Sequence, residues 1–335
     1  MKSLANEIVR FIETGMGDAA EFERLALSLF ARQYALCAPY RRLCLGQGAS
    51  PETVTRWQDI PAVPAAAFKV FDLSCVPTGE TAAVFHSSGT TGAQTSRHYF
   101  DEDALALYEI SLRAGFRAAL PERPPLLWAM MPEPPTSPHS SLSHMLGALG
   151  ANRFFWDNDA ALSAALLERT EPITLFGTAF AWVQLFDGSG QSWRLAAGSV
   201  VVETGGFKGR TREVPREELY QLFQSRLGVP LENCYSEYGM SEMASQFYGQ
   251  GLDSEKRGSH WVRTRAIDPE TGEDAPPGTP GLLRHYDLAN FNSVMALQTQ
   301  DLGTLTPGGF ALLGRAPDAE VRGCSLTVEE LWARQ

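Results

Sequence analysis

Residues 86–99, HSSGTTGAQTSRHY, place four hydroxyl-bearing side chains (Ser87, Ser88, Thr90 and Thr91) and two glycines (Gly89 and Gly92) in six consecutive positions. Glycine lets a backbone approach a ligand closely, and hydroxyls with successive N–H groups make a concave nest for an anion such as phosphate. An ordinary polar turn is the competing reading of such a cluster taken alone. The Walker pattern fails here, because Gln94 and Thr95 stand where its Gly-Lys must be. Neither a Gly-x-Ser-x-Gly elbow nor a Gly-x-Gly-x-x-Gly turn occurs, so the hydrolase and dinucleotide fingerprints are missing as well.

Three more segments carry chemistry-bearing residues. VVETGGFKGR, 201–210, sets Gly205 and Gly206 directly after a β-forming run, where either a simple turn or the close approach of a flat ligand accounts for them. NCYSEYGMSEMAS, 233–245, supplies Tyr238, Gly239, Ser241 and Glu242 at a second strand exit. A ring beside a glycine can stack a base, and a carboxylate four positions on can ligate a divalent cation through oxygen, although such pairs are also common on surfaces. LQTQDLGTL, 297–305, reads as a strand ending at Asp301, and Arg315 follows in LLGRAPDAEVRGCSLTVEEL. Taken singly, that acid is a turn former and that arginine a surface charge. Lysine is scarce: of Lys2, Lys69, Lys208 and Lys256, only Lys69 and Lys208 adjoin motif residues.

These residues need a scaffold, and the rest of the chain describes one. At 335 residues, 44% hydrophobic and 20% charged, it is ordinary globular material for one large or two moderate domains. A formal net charge of -11 with no basic run argues against a nucleic-acid partner. Five cysteines without a Cys-x-x-Cys pair predict reduced thiols and a cytoplasmic location, and LLWAMM at 126–131 is too short to span a membrane. Leu4, Ile8, Val9 and Ile12, then Phe22 through Leu25, Leu29, Phe30 and Leu36, follow helical spacing. TAAVFH before the hydroxyl-rich loop reads as a strand. Helices over 103–119, 140–149 and 159–169 then alternate with short apolar runs at 126–131, 154–156, 173–176 and 200–202, which predicts an α/β fold with parallel strands and ligands at their C-terminal ends. From about residue 257 the periodicity gives way to extended pieces such as GLLRHYD, SVMALQTQD and FALLGR. The expected division is an α/β core over 1–256, holding the nucleotide and acid sites, and a β-rich lobe over 257–335 ending at a hinge-like motif.

The order SSGTTG, TGG, YGMSE, QDLG, GRAPDAEVRG resembles the serial signature of the adenylate-forming superfamily of acyl-CoA synthetases and nonribosomal adenylation domains. IPAVPAAAFK, HSSGTTG, SSLSHM, ETGGFKGR and RGCSLTVEEL are similar more specifically to its LuxE acyl-protein synthetase branch, from about residue 55 to the end. The resemblance implies that family's N-terminal-domain fold, parallel sheets flanked by helices with a smaller β-rich lobe. It implies ATP and Mg2+ as cofactors, and activation of a carboxylic acid, fatty or aromatic, as acyl-AMP. Carried over by position, Ser87 to Gly92 would cradle the ATP phosphates, and Gly205 and Gly206 would line the adenine pocket. Tyr238 with Gly239 would stack adenine, Ser241 would contact the α-phosphate, and Glu242 would bind magnesium. Asp301 would hold the ribose hydroxyls with help from Arg315.

The sequence departs from the broader superfamily in two ways. That superfamily continues past the GRAPDAEVRG hinge into a small domain with a catalytic lysine, which is absent from this sequence, so Lys208 or Arg97 is expected to position the reacting groups. The Pro-Lys that commonly follows TTG is also missing, and Arg97 is the nearest cation. The branch resemblance further implies that Cys324, in RGCS, accepts the acyl group before an acyl-accepting partner protein or carrier. The acid is expected in a cleft between SSLSHM and the loop after Phe176, lined by Phe180 and Trp182. The competing function class is a non-catalytic relative that binds a nucleotide or partner.

Overall fold

The computed structural model describes residues 3–15, 17–87, 95–205, 214–252 and 255–316. The chain forms two compact units. The first comprises residues 1–114, 240–245 and 258 onward, and the second comprises residues 115–239 and 246–257. Among the described residues no helix is long and apolar enough to cross a membrane.

The first unit opens with helices α1 (Leu4–Thr14), α2 (Ala19–Leu36) and α3 (Ala38–Gly46). Ser3 and Asp18 cap the first two, each side chain accepting a first-turn N–H. Helical spacing puts Ile8, Phe11 and Ile12 of α1 and Phe22, Leu25, Leu29 and Phe30 of α2 in the core. Leu36, expected on that buried face, is 53% exposed, because it is the last residue of α2 and the chain turns away at Cys37.

The main sheet of this unit combines β1 (Val63–Pro64) with β10 (Val262–Ile267), β11 (Gly281–Asp287), β12 (Ala296–Thr306) and β13 (Gly309–Arg315). Its order is β1-β12-β11-β10; the start of β12 pairs in parallel with β1 and its second half pairs antiparallel with β13. The strand expected to end at Asp301 runs on to Thr306. LGTLT continues the apolar and β-branched alternation, and the chain reverses only at Pro307 and Gly308. A separate hairpin, β2 (Ala83–His86) with β3 (Arg97–Phe100), carries the hydroxyl-rich loop between two antiparallel strands. Helix α4 (Glu102–Ala119) begins in the first unit and ends in the second.

The second unit is an α/β sheet ordered β5-β4-β6-β7-β8-β9. Its strands are β4 (Leu127–Met130), β5 (Arg153–Phe154), β6 (Thr174–Thr178), β7 (Val200–Thr204), β8 (Cys234–Tyr238) and β9 (Phe247–Gln250). The first five are parallel, and β9 closes the sheet antiparallel to β8. Helices α5 (Ser141–Ala148), α6 (Asp159–Glu168), α7 (Ala179–Gly188) and α8 (Arg216–Leu222) make the crossovers. Sheets covered by crossovers bury their strands, which is why LWAM and VVVET are buried at every residue. Trp182, Val183 and Phe186 of α7 join Phe223, Val201 and Leu175 in one core.

Candidate functional site

In the first unit, Ser87 and Ser96 close the base of the hydroxyl-rich loop. The Ser87 N–H donates to Ser96 O at 3.1 Å, and the Ser96 N–H donates to Ser87 Oγ at 3.0 Å. Ser87 Oγ thus accepts a bond that pins the loop ends, and its own hydroxyl proton is not used by that bond; Ser88, Gly89, Thr90, Thr91 and Gly92, expected with Ser87 to face phosphate, lie outside the described residues. Ser96 also reaches Glu242: its Oγ donates to Oε1 at 3.2 Å and lies 2.8 Å from His98 Nε2. With the hydroxyl proton on the carboxylate, His98 must carry its proton on Nε2. Burial holds that imidazole well below its usual range, at about 3, with the nearby His86 charge acting in the same direction, so His98 is neutral at pH 7.

The segment bearing Ser241 and Glu242 is anchored from the sheet. Asp287, at the end of β11, accepts the Ala244 N–H at 2.9 Å, the Ser245 hydroxyl at 2.7 Å and the Ala289 N–H at 3.0 Å. Asn290 Nδ2 donates to Glu242 O at 2.8 Å, and Trp261 Nε1 donates to Ser245 Oγ at 3.0 Å. Burial raises the Glu242 carboxyl above the usual carboxylate range, opposed by its own backbone N–H, the Ser96 bond and the charges of Lys69 and Arg315. Among the described residues no group of three or more His, Cys, Asp or Glu is placed to hold a metal ion. A single carboxylate fits a magnesium ion that fills its remaining positions with phosphate oxygens and water, the usual arrangement for nucleotide-bound magnesium.

Asp301 and Arg315 stand opposite each other across β12 and β13. Asp301 is half-buried in mid-strand, and Arg315 is exposed. Arg97 opens β3, where its guanidinium pairs with Asp72 at 2.9 Å. Asp72 also accepts the Tyr99 hydroxyl at 2.9 Å.

The second unit brings the other two motifs side by side, because Thr204 of β7 pairs with Glu237 of β8. Gly205 follows with φ +67, a left-handed conformation that a side chain would strain. At Gly239 the constraint is space: an added Cβ would sit 2.5 Å from Glu237 Oε1. Tyr238 packs its ring against Phe247 at 5.9 Å. Gly206, Lys208 and Cys324 lie outside the described residues.

Trp182, expected to line the acid cleft, is instead fully buried, packed edge-on against Phe223 and donating from Nε1 to Val202 O at 3.4 Å. Phe180, on the same helix, is half-buried. Ser96, His98, Asp287 and Lys256 are not among the residues expected from the sequence; Ser96 meets Glu242, Asp287 meets Ala244 and Ser245, and Lys256 meets Ser236 across long stretches of chain, while His98 bonds Ser96 only two residues away.

Residues 157–333, more than half of the sequence, match the family described as acyl-protein synthetase, LuxE. The chain belongs to that family. LuxE acyl-protein synthetases are adenylate-forming ligases, and the solved structures with this fold agree. A 2-hydroxyisobutyryl-CoA ligase in the postadenylation state, in complex with R3-HIB-AMP, superposes with a TM-score of 0.67 at 17% identity, over 90% of this chain and 69% of that one. The same ligase in an open conformation with 2-HIB-AMP and CoA gives 0.66 at 16% identity, over 90% and 71%. ATP-bound MatB from Rhodopseudomonas palustris gives 0.52 at 18% identity, over 81% and 56%. At these identities the likeness establishes the adenylate-forming fold of this LuxE-family chain. No curated protein matches the sequence.

Proposed function

We propose that this LuxE-family ligase condenses a fatty or aromatic acid with ATP to form acyl-AMP and passes the acyl group to a thiol, first its own Cys324 and then a partner protein or carrier. In the first step a carboxylate oxygen of the acid bonds to the α-phosphorus, the bond to the bridging oxygen breaks, and pyrophosphate leaves. In the second, the thiolate adds to the acyl carbon and AMP departs with the carboxylate-derived oxygen, the thiol proton passing to solvent.

One observation carries the reading: a buried carboxylate, Glu242, is held by Ser96, and the charges of Lys69 and Arg315 favour its ionised form. Magnesium bound there would neutralise phosphate charge as pyrophosphate leaves. Asp301, with Arg315 across the ladder, takes the ribose hydroxyls, and Tyr238 with Gly205, Gly206 and Gly239 takes adenine. Ser241 contacts the α-phosphate, while Ser87 to Gly92 cradle the others. Arg97 or Lys208 holds the acid carboxylate against the α-phosphorus. Neighbouring Arg322 favours the thiolate form of Cys324.

ATP–pyrophosphate exchange over a panel of fatty and aromatic acids tests the first step. Glu242→Gln should lower exchange by at least about tenfold, as loss of a charged ligand implies; unchanged exchange removes the metal role. Cys324→Ser should abolish a hydroxylamine-sensitive acyl label on the chain while sparing exchange. A thioester that persists in the variant excludes Cys324.

A further inference from the structure

The ends of β7 and β8 are joined by polar groups on both faces of the sheet. Register pairs Glu203 with Ser236 and Thr204 with Glu237, and successive residues point to opposite faces. On one face, Thr204 Oγ1 donates to Glu237 Oε2, while Oε1 of the same carboxylate fills the space beside Gly239. On the other, Arg216 donates to Ser236 Oγ at 2.6 Å and pairs with Glu203 at 3.7 Å. Lys256 donates to Ser236 O at 3.2 Å and to Ser236 Oγ, and the Tyr220 hydroxyl donates to Glu203 at 3.5 Å. Glu203, Thr204, Ser236, Glu237 and Lys256 are all buried.

Strand pairing does not require this arrangement. Apolar residues of similar volume often replace buried ionic groups without loss of stability, so a carboxylate at Glu237 needs another reason. Its two oxygens supply one. One engages Thr204, next to the left-handed Gly205, and the other abuts Gly239, next to Tyr238. A branched apolar side chain cannot accept a hydrogen bond in one turn while occupying the glycine cleft of the other. Burial pushes the Glu237 carboxyl up to about 7, against the Thr204 bond and the Lys256 charge. It pushes the Lys256 ammonium down to about 8, chiefly against the Glu203 charge.

We infer that Glu237 is a positioning residue: acting through Thr204, it fixes the placement of the Gly205 turn relative to the Tyr238–Gly239 turn, and so the affinity for the adenine of ATP. What those turns hold rests on the proposed adenylation reading; that Glu237 orders them does not.

Two measurements separate the two claims. The first is ATP–pyrophosphate exchange, resolved into KM for ATP and kcat; the second is amide hydrogen exchange of peptides spanning 202–205 and 236–240. Glu237→Ala should raise KM for ATP about tenfold, the loss expected for one charged hydrogen bond, with kcat within about twofold and faster amide exchange in both peptides. Glu237→Gln keeps an acceptor for Thr204 and should restore both readouts. Thr204→Val should match Glu237→Ala, and the double variant should be no worse than either single one. A KM unchanged in a folded Glu237→Ala protein, or additive effects in the double variant, overturns the inference. If Glu237→Ala does not fold, Thr204→Val alone decides, by the same KM rise or its absence. If the parent protein shows no exchange with any acid, the adenylation reading fails and the amide-exchange arm decides whether Glu237 orders the turns.

Discussion

Replacing Asp287 by Asn should reveal a buried charge that the first unit tolerates in order to hold the Ser241–Glu242 segment. Asp287 is 1% exposed, and burial pushes its carboxyl from 3.8 up to about 6, although the Ser245 hydroxyl and the N–H groups of Ala244, Ser245 and Ala289 all favour the charged form. Below pH 3.8 the carboxyl is protonated whether the chain is folded or not. Between 3.8 and 6 the unfolded chain ionises first, so stability falls as pH rises, and above 6 the whole difference, about 3 kcal/mol, is lost. Asparagine has no such titration. Its amide resembles the protonated acid, leaving one of the acceptor contacts facing an N–H, at a cost of about 1–3 kcal/mol that does not vary with pH. Urea unfolding of both proteins at pH 4 and pH 7.5 should therefore show the variant gaining about 2.4 kcal/mol on the parent between the two. The difference between the proteins isolates Asp287 from the other carboxyls that burial raises, Glu203, Glu237 and Glu242. A stability difference that is the same at both pH values refutes the reasoning.

Ser96→Ala removes the hydroxyl shared by Glu242 and His98, both buried, and should cost about 1–3 kcal/mol in urea unfolding while raising the magnesium concentration that half-saturates exchange. Trp182→Ala should destabilise by about 3–5 kcal/mol, with the order of acid preference unchanged in the exchange assay, whereas Phe180→Ala should alter that order. Arg97→Ala breaks a pair whose side chains are 52% and 40% exposed, so thermal unfolding should register less than about 1 kcal/mol, and any large fall in exchange reports on the reaction itself.

Local pattern was legible in the sequence where local forces decide structure. GLLRHYD coincides with β11, and the helices read at 103–119, 140–149 and 159–169 lie within a residue or two of α4, α5 and α6. Asp301 was placed at a strand end because an acid and a glycine look like a turn, yet pairing with β11 and β13 carries the strand past both. Trp182 has the size and polarity of a pocket residue, and only the packing of Phe223 and Phe186 around it shows that it belongs to the core. Asp287 and Lys256 act on residues that register and burial bring to them, and no spacing rule reports such partners, while the local Ser96–His98 pair matters only because Glu242 arrives from far along the chain. Lys256 in particular was one of four lysines in the sequence, and its burial against Ser236 exists only once β8 and the segment after β9 have met.

The same burial constrains the second half-reaction. Attack on an acyl-AMP needs a thiolate within reach, so a thiol held protonated out of solvent is a poor acceptor. Four of the five cysteines, Cys37, Cys44, Cys75 and Cys234, are free and buried. Burial pushes the Cys37 thiol up to about 11 and the other three to about 12. At neutral pH each is thiolate less than about one part in a thousand of the time. Their packing explains why they are there: Cys75 Sγ contacts the Ser293 carbonyl and Cys234 Sγ the Pro230 carbonyl, as small core residues do. We therefore propose the fifth cysteine, Cys324, as the acyl acceptor, and loss of the hydroxylamine-sensitive label in Cys324→Ser is the result that tests it.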